Sequence, residues 1–588
     1  MVFTYKRLLN QGLQLIVIVF IIYGMFACSG NDKLKFEHAG GTFSFPLKNM
    51  PVSHFPYNTI DIYSTTLLNQ VYEGLVQRNP QTLQAEPSLA SDWQVLDNGR
   101  KIQFTLRDDV YFHPHHAFDE LIKLSPEDVV YSIELACTPV DGNKEPFSYS
   151  VIFKSQLIGA EDFYNGNADH IEGITVQGNV ITLSLIEKDF DFIDKLALAQ
   201  ATIVSKEVSE AGYINDLIGT GPFKFNSYKE IDEGRTDIVL LRNENYYEVD
   251  NAGNQLPYLD SLVLVVEKSE LKQLGYFQND EIQLIESLPT SMISSMLGQG
   301  KIKEFNGTPP NLILIRNPLL GTSFIQFNLL EKALSDINVR KAINYAINRE
   351  NIVQSILKNQ AYGVGNAGLV PPAVFNGYNT KKVMENSYTF NPKLAKKLLA
   401  DAGYPNGEGF PDISIKYVIG SRSSEVAKEI SRQLEQNLNI NVSMDGVDFK
   451  TLLEDQEKAN GYLFMSGWFA DYSSPEAFLF NSYGKNAPET ASEPSQTNYT
   501  RYKNPQFDEI FENAKNANDI IEQYEYLAEA ESIMMKDSPY IILWYEETIK
   551  VAYSKVRNLH LNAMNYYSLK DVYIKEWTKS EWEEKNIH

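Results

Sequence analysis

Three groups of side chains in this sequence have types and spacings that could do chemistry. The first is Gly467-Trp468-Phe469-Ala470-Asp471-Tyr472. Gly467 allows close backbone approach, Trp468 offers a flat stacking face, and Asp471 supplies a fixed anion three residues later. In a water-excluded cleft, such a carboxylate pairs with an ammonium group through charge-assisted hydrogen bonds. The alternative roles are structural, with Asp471 capping a helix and Trp468 filling a core. The second group is His113-Pro114-His115-His116. Imidazoles are common metal ligands, but one proline is all that separates these, and no cysteine or acid stands at a familiar ligand spacing. The sequence predicts a solvated turn there, with no metal and no cofactor. The third group is two thiols, Cys28 and Cys137.

Motifs of catalysis are missing. There is no Gly-x-Ser-x-Gly elbow, phosphate loop, His-Glu-x-x-His pair or dinucleotide fingerprint. The 76 acidic residues offer too many carboxylate pairs to single out a glycosidase-like couple. The chain reads as a binding protein and not an enzyme. Its net charge of −24 repels phosphate backbones, which excludes nucleic acid as a partner. Aromatic residues make up 12 % of the chain, which suits closure around a ligand as well as it suits a large core.

The first residues carry an export pattern. Lys6 and Arg7 precede an apolar run from Leu13 to Ala27 that ends at Cys28. A basic start, an apolar stretch and a small residue before a cysteine match a lipoprotein signal over 1–28, with Cys28 as the lipidated N-terminus. Met25 and Phe26 are bulkier than that pattern usually holds, and the alternative is an uncleaved signal anchor. Residues 29–35 read as a polar tether. A lipidated Cys28 leaves Cys137 without a partner, so the exported body must be held by its core and not by a disulfide. No other stretch has the roughly 20 apolar residues needed to span a bilayer.

At 588 residues the chain is too long for one hydrophobic core, so two or three lobes are expected. Strands are predicted at Ile102 to Leu106, Val180 to Leu185, Ser261 to Val266 and Ser323 to Asn328. Ser125-Pro126-Glu127-Asp128 opens one helix with a capping hydroxyl, a first-turn proline and two acids. Asn391-Pro392 opens a second, which Gly403 stops. Val339, Ala342, Ile343, Ala346 and Ile347 form the apolar stripe of a third. Residues 413 to 444 read strand, helix, strand, a βαβ unit that gives at least one lobe α/β character.

Eight segments, in this order, carry a resemblance: Tyr72-Glu73-Gly74-Leu75-Val76; Pro87-Ser88-Leu89-Ala90 with Trp93; Asn98-Gly99 through Phe104-Thr105-Leu106-Arg107 to Val110; Ser125-Pro126-Glu127-Asp128-Val129; Gly219-Thr220-Gly221-Pro222-Phe223; Arg340 through Arg349; Gly467 to Tyr472; and Tyr502-Lys503-Asn504-Pro505-Gln506-Phe507-Asp508. The chain resembles the extracellular solute-binding proteins of family 5, the dipeptide- and oligopeptide-binding receptors of ABC transporters. The resemblance covers nearly the whole mature chain. It implies an α/β, two-lobed, type II periplasmic-binding fold with a discontinuous first lobe and an inserted subdomain. The boundaries expected are 36–79, 200–305 and 545–588 for lobe I, 80–199 for the inserted subdomain and 306–544 for lobe II.

The resemblance also implies a monomer that takes a peptide into the cleft, closes, and presents it to a membrane permease. It faces the periplasm or cell exterior, tethered by its lipid. The family's amino-terminus anchor falls on Asp471, with Gly467, Trp468 and Tyr472 around it. Some oligopeptide receptors place an arginine three residues before the motif tryptophan to meet the ligand carboxylate. Here that position is Met465, so the carboxylate must find another cation or stay hydrated. Relatives that bind oligosaccharides or metal chelates keep those ligands open as alternatives, and a signalling role without a permease is a third.

Overall fold

The computed structural model describes residues 35–585 except 60, 141–144, 287–301, 373, 374, 376 and 496. The signal, Cys28 and most of the tether lie outside the described residues. Among the described residues, no helix is long and apolar enough to cross a membrane.

Three sheets organise the chain. The first has four strands in the order Thr42–Leu47, Ser261–Val266, Arg235–Arg242 and Phe223–Asp232, parallel at the first pairing and antiparallel at the others. The second, also four-stranded, is antiparallel and runs Ala90–Leu96, Lys101–Leu106, Val180–Ser184, Ile174–Gln177. Both pack on one core that gathers side chains from Phe43 to Leu284 and again from Ala552 to Val572. That return near the C-terminus makes the first lobe discontinuous, and the second sheet shares its core.

The third sheet has seven strands. Leu284–Ile285, Tyr540–Tyr553, Leu312–Phe327, Leu463–Phe469, Ile413–Val418 and Val442–Val447 follow in order, with Gly363–Val364 against Tyr540–Tyr553. The βαβ unit is present as read: helix Ser421–Leu438 joins the parallel strands Ile413–Val418 and Val442–Val447. Its apolar stripe, Val426, Ile430 and Leu434, is fully buried. The predicted helix starts are also observed. Ser125 and Asp128 form a reciprocal capping box before Pro126–Ala136, and Asn391 caps Pro392–Asp401.

Two strands join the lobes. Leu312–Phe327 begins in a core with Val265 and Val551 and ends in the second lobe's core with Ile413 and Leu463. Tyr540–Tyr553 runs beside it in the opposite direction, and their register shifts between Pro318 and Thr322. Proline cannot donate to the ladder, so the pairing breaks where one lobe hands over to the other. The strand expected at Ser323 to Asn328 is the distal part of this longer one.

Candidate functional site

Asp471 stands just past strand Leu463–Phe469, whose antiparallel register sets Gly467 opposite Ser323 and Trp468 opposite Thr322. A side chain at Gly467 would bring a Cβ within 3.2 Å of the Thr322 carbonyl, so glycine lets the strands close here. Ala470 N then donates to Leu320 O at 2.9 Å, which fixes the backbone as the chain leaves the sheet.

From that point Asp471 lines a cavity of about 570 Å³. The other walls come from helix Ile62–Val71, from 197–200, from Leu319 and Leu320 at the register shift, and from 563–567. This volume lies within the usual range for small-molecule sites. The charged side chains among the lining residues are Asp61, Arg78 and Asp471. Asp61 is already engaged, since it caps helix Ile62–Val71 by accepting from Ser64 N at 2.9 Å. Asp471 is half-buried and has no hydrogen bond or ion pair among the described residues. Burial alone pushes its carboxyl up to about 6. An anion held in this way gains most from a cation that arrives with a ligand.

The other motif residues go elsewhere. Trp468 is half-buried against the second lobe and, with Gly467, Gln326, Asn481 and Tyr499, lines a separate void of about 30 Å³. Tyr472 is buried, its hydroxyl donates to Glu476, and its ring faces the Lys195 ammonium. Asp471 is therefore the residue of the four that lines the large cavity. Met465 is buried in the second lobe's core and is not among the residues that line the large cavity.

Sequence reasoning missed Asn69, Arg78 and Tyr566, which line the cavity, the first two from neighbouring segments and Tyr566 from near the C-terminus. No local motif marks them; they meet only because the first lobe closes on itself through its C-terminal return.

The histidines do not form a solvated turn, which corrects the expectation. His113 is buried; its backbone N donates to Gly219 O at 2.7 Å and its Nε2 lies 2.9 Å from Gly221 O. Burial lowers its pKa to about 4, so it is a neutral core residue. His115 bonds Asp216 at 3.2 Å, and His116 alone of the three is exposed. Among the described residues, no group of three or more His, Cys, Asp or Glu could hold a metal ion.

The motifs at 72–76 and 219–223 meet in the first lobe. Glu73 is buried and accepts from Thr220 at 2.9 Å, Tyr246 at 2.8 Å and Tyr247 at 3.1 Å. Burial pushes its carboxyl up to about 7. These residues build the wall behind the cavity and do not face it.

Comparison with known proteins agrees with this architecture. The model of the bacterial extracellular solute-binding proteins, family 5 (middle region), matches residues 84–489. Heme-binding protein A of Haemophilus influenzae is 25 % identical, covering 86 % of this chain and 87 % of its own length. The dipeptide-binding protein of Escherichia coli is 22 % identical over 86 % of this chain and 89 % of its own. Among solved structures, the ABC transporter-associated periplasmic binding protein DppA of Helicobacter pylori, in complex with peptide STSA, superposes with a TM-score of 0.72. It is 24 % identical and covers 92 % of this chain and 99 % of its own.

Proposed function

The chain belongs to family 5 of the bacterial extracellular solute-binding proteins, and on that premise we propose that it captures peptides between its lobes and delivers them to an ABC importer, without catalysing a reaction. The observation that carries this reading is Asp471, a carboxylate without a partner among the described residues, in the wall of a cavity of about 570 Å³. A peptide's α-ammonium supplies the missing charge, and Gly467 and Trp468 shape the strand end that aims the carboxylate. Tyr472 holds the segment that follows. Relatives named for dipeptides and solved with a bound peptide support the ligand class.

The lobes we assign are 36–79, 200–305 and 545–588 for the first, with 80–199 inserted, and 306–544 for the second. The ligand bridges them, and closure follows because the closed state gains contacts to both. Residues 1–28 act as a signal with Cys28 lipidated, and the protein works as a tethered monomer outside the cytoplasm.

Thermal denaturation with short peptides tests the reading. Peptides with free amino termini raise the melting temperature, and N-acetylated ones raise it less. Equal shifts, or none, count against Asp471. A second reading, oligosaccharide binding, draws on Phe147, Phe469, Tyr566 and Tyr567, aromatic side chains among the residues that line the cavity. Stabilisation by sugar oligomers and not by peptides would select it.

A further inference from the structure

Met465 leaves open where a peptide's carboxylate goes, and the cavity holds an answer that no sequence motif marks. Arg78 is the one cation among its described lining residues. It is 3 % exposed, follows strand residues Val76 and Gln77, and forms no ion pair among the described residues. Its Nη1 donates to Leu83 O at 3.2 Å and its Nη2 to Asp194 O at 3.3 Å, both carbonyls. The Asp194 carboxylate is turned to Ala85 N at 3.0 Å instead. Asp194 thus acts on Arg78 through charge but without a hydrogen bond between the two side chains, and a buried guanidinium whose N–H groups reach only carbonyls can still meet an arriving carboxylate with two parallel N–H groups.

Two further donors share this wall. Tyr566 is half-buried, and its hydroxyl has no hydrogen-bond partner among the described residues; the Arg78 charge acts directly on it. Asn69, on the last turn of helix Ile62–Val71, likewise has an amide without a partner among the described residues. Both line the large cavity beside Arg78 and also the small void behind it. The other nearby cation, Lys550, is unsuited: Glu286, Asn565 and Tyr567 already hold it.

We propose that Arg78, Tyr566 and Asn69 form a carboxylate subsite on the first lobe, facing a cavity whose second-lobe wall carries Asp471. The proposal rests on the reading of Asp471 as the amino-terminus anchor and adds a limit on the ligand. A peptide must be short enough to present both charged ends inside one 570 Å³ cavity. It also gives closure a cause, because a zwitterion joined to one lobe at each end favours the closed state over the open one.

The test uses the full-length protein and random tripeptides in three forms: unmodified, N-acetylated and C-amidated, with affinity read by native mass spectrometry and calorimetry. Amidation and acetylation are each expected to weaken binding to the unaltered protein about tenfold or more, the loss of a charge-assisted contact. In Tyr566→Phe, Asn69→Ala and Arg78→Gln, the amidation penalty shrinks while the acetylation penalty stays. If Arg78→Gln fails to fold, the other two variants decide. An amidation penalty that is absent, with the acetylation penalty intact, overturns the subsite and leaves Asp471 standing. The same amidation penalty in all variants also overturns it, since another group must then hold the carboxylate. Indifference to both modifications, or no binding of any form, overturns the Asp471 reading and this one together.

Discussion

The Lys195 ammonium lies 4.8 Å from the centre of the Tyr472 ring and bonds Asp189 Oδ2 at 2.8 Å. It thereby ties the segment leading into one wall of the cavity, 197–200, to the residue after Asp471. Burial works against the charged lysine, but Asp189, Glu476 and Asp191 outweigh it and hold its pKa above the ordinary value. The same burial, with Asp189 and Glu476 adding to it, pushes the Asp191 carboxyl well up. Nearby, Lys188 Nζ donates to Ala517 O at 2.6 Å, a second tie between the same parts of the chain.

Removing the lysine leaves carboxylates without their counter-ion in a buried site. Lys195→Met is expected to cost about 3–5 kcal/mol, the usual penalty for breaking a buried pair from one side. Urea denaturation at pH 7.5 reads it. A change within error would mean that solvent reaches Asp189 and Asp191 freely, against their observed burial.

Asp471→Asn should separate binding from stability. The carboxyl titrates at about 6 when folded and at about 4 when unfolded. Between those values the folded chain holds the extra proton, so this residue makes the unliganded protein less stable as pH rises through that window. Asparagine removes the penalty. The variant is expected to melt a few degrees higher at pH 7.5, to lose that advantage below pH 4, and to bind free-amino peptides more weakly. In the unaltered protein, peptide affinity should fall as pH drops below 6 and the carboxyl takes up its proton. Melting curves across pH, with and without peptide, check both signs.

The parts of this fold that were legible in the sequence are those set by local physics. The βαβ unit follows from a 3.6-residue stripe between two alternating runs. The Ser125 and Asn391 caps follow from short polar side chains placed just before prolines. Leu312–Phe327 was only half recognised, because its first part, Leu-Ile-Leu-Ile-Arg-Asn-Pro, carries a proline that demotes a strand reading; the structure accommodates it at the register shift. His113 was misread because its burial comes from Gly219 and Gly221, more than a hundred residues away. At the site, Asp471 stood out through its motif. Arg78, Asn69 and Tyr566 did not, since no spacing along the chain links them.

Glu531 makes a second pH-dependent prediction. It is fully buried and accepts from Leu369 N at 2.5 Å, Val370 N at 2.8 Å and the Tyr378 hydroxyl at 2.6 Å. These bonds pin the 366–370 loop to helix Ile520–Asp537. Glu531→Ala strands those backbone donors at about 1–3 kcal/mol each. Glu531→Gln should be far milder: its oxygen can still accept both N–H groups, and its amide can donate to the Tyr378 oxygen. Burial pushes the carboxyl up to about 7 when folded, against about 4.3 unfolded. Its contribution to stability therefore declines as pH rises between those values, and the Gln variant should flatten that slope.

Two glycines give opposite expectations for one substitution. At Gly219 a Cβ would lie 2.0 Å from the Val71 carbonyl oxygen and 2.9 Å from the Tyr72 ring. Backbone cannot yield to such a contact without separating helix Ile62–Val71 from the 219–223 segment. The Thr220 to Glu73 hydrogen bond and the His113 contacts depend on that junction. Gly275, by contrast, sits inside helix Glu270–Gln278 with nothing within 4 Å of the added carbon. Alanine there restricts the unfolded chain and favours the helix, worth up to about 1 kcal/mol. Gly219→Ala is thus expected to lower the melting temperature sharply and to weaken peptide binding, because helix Ile62–Val71 forms a wall of the cavity. Gly275→Ala should raise the melting temperature slightly and leave binding unchanged. Should both variants melt like the unaltered protein, the close packing of Gly219 on Val71 is wrong.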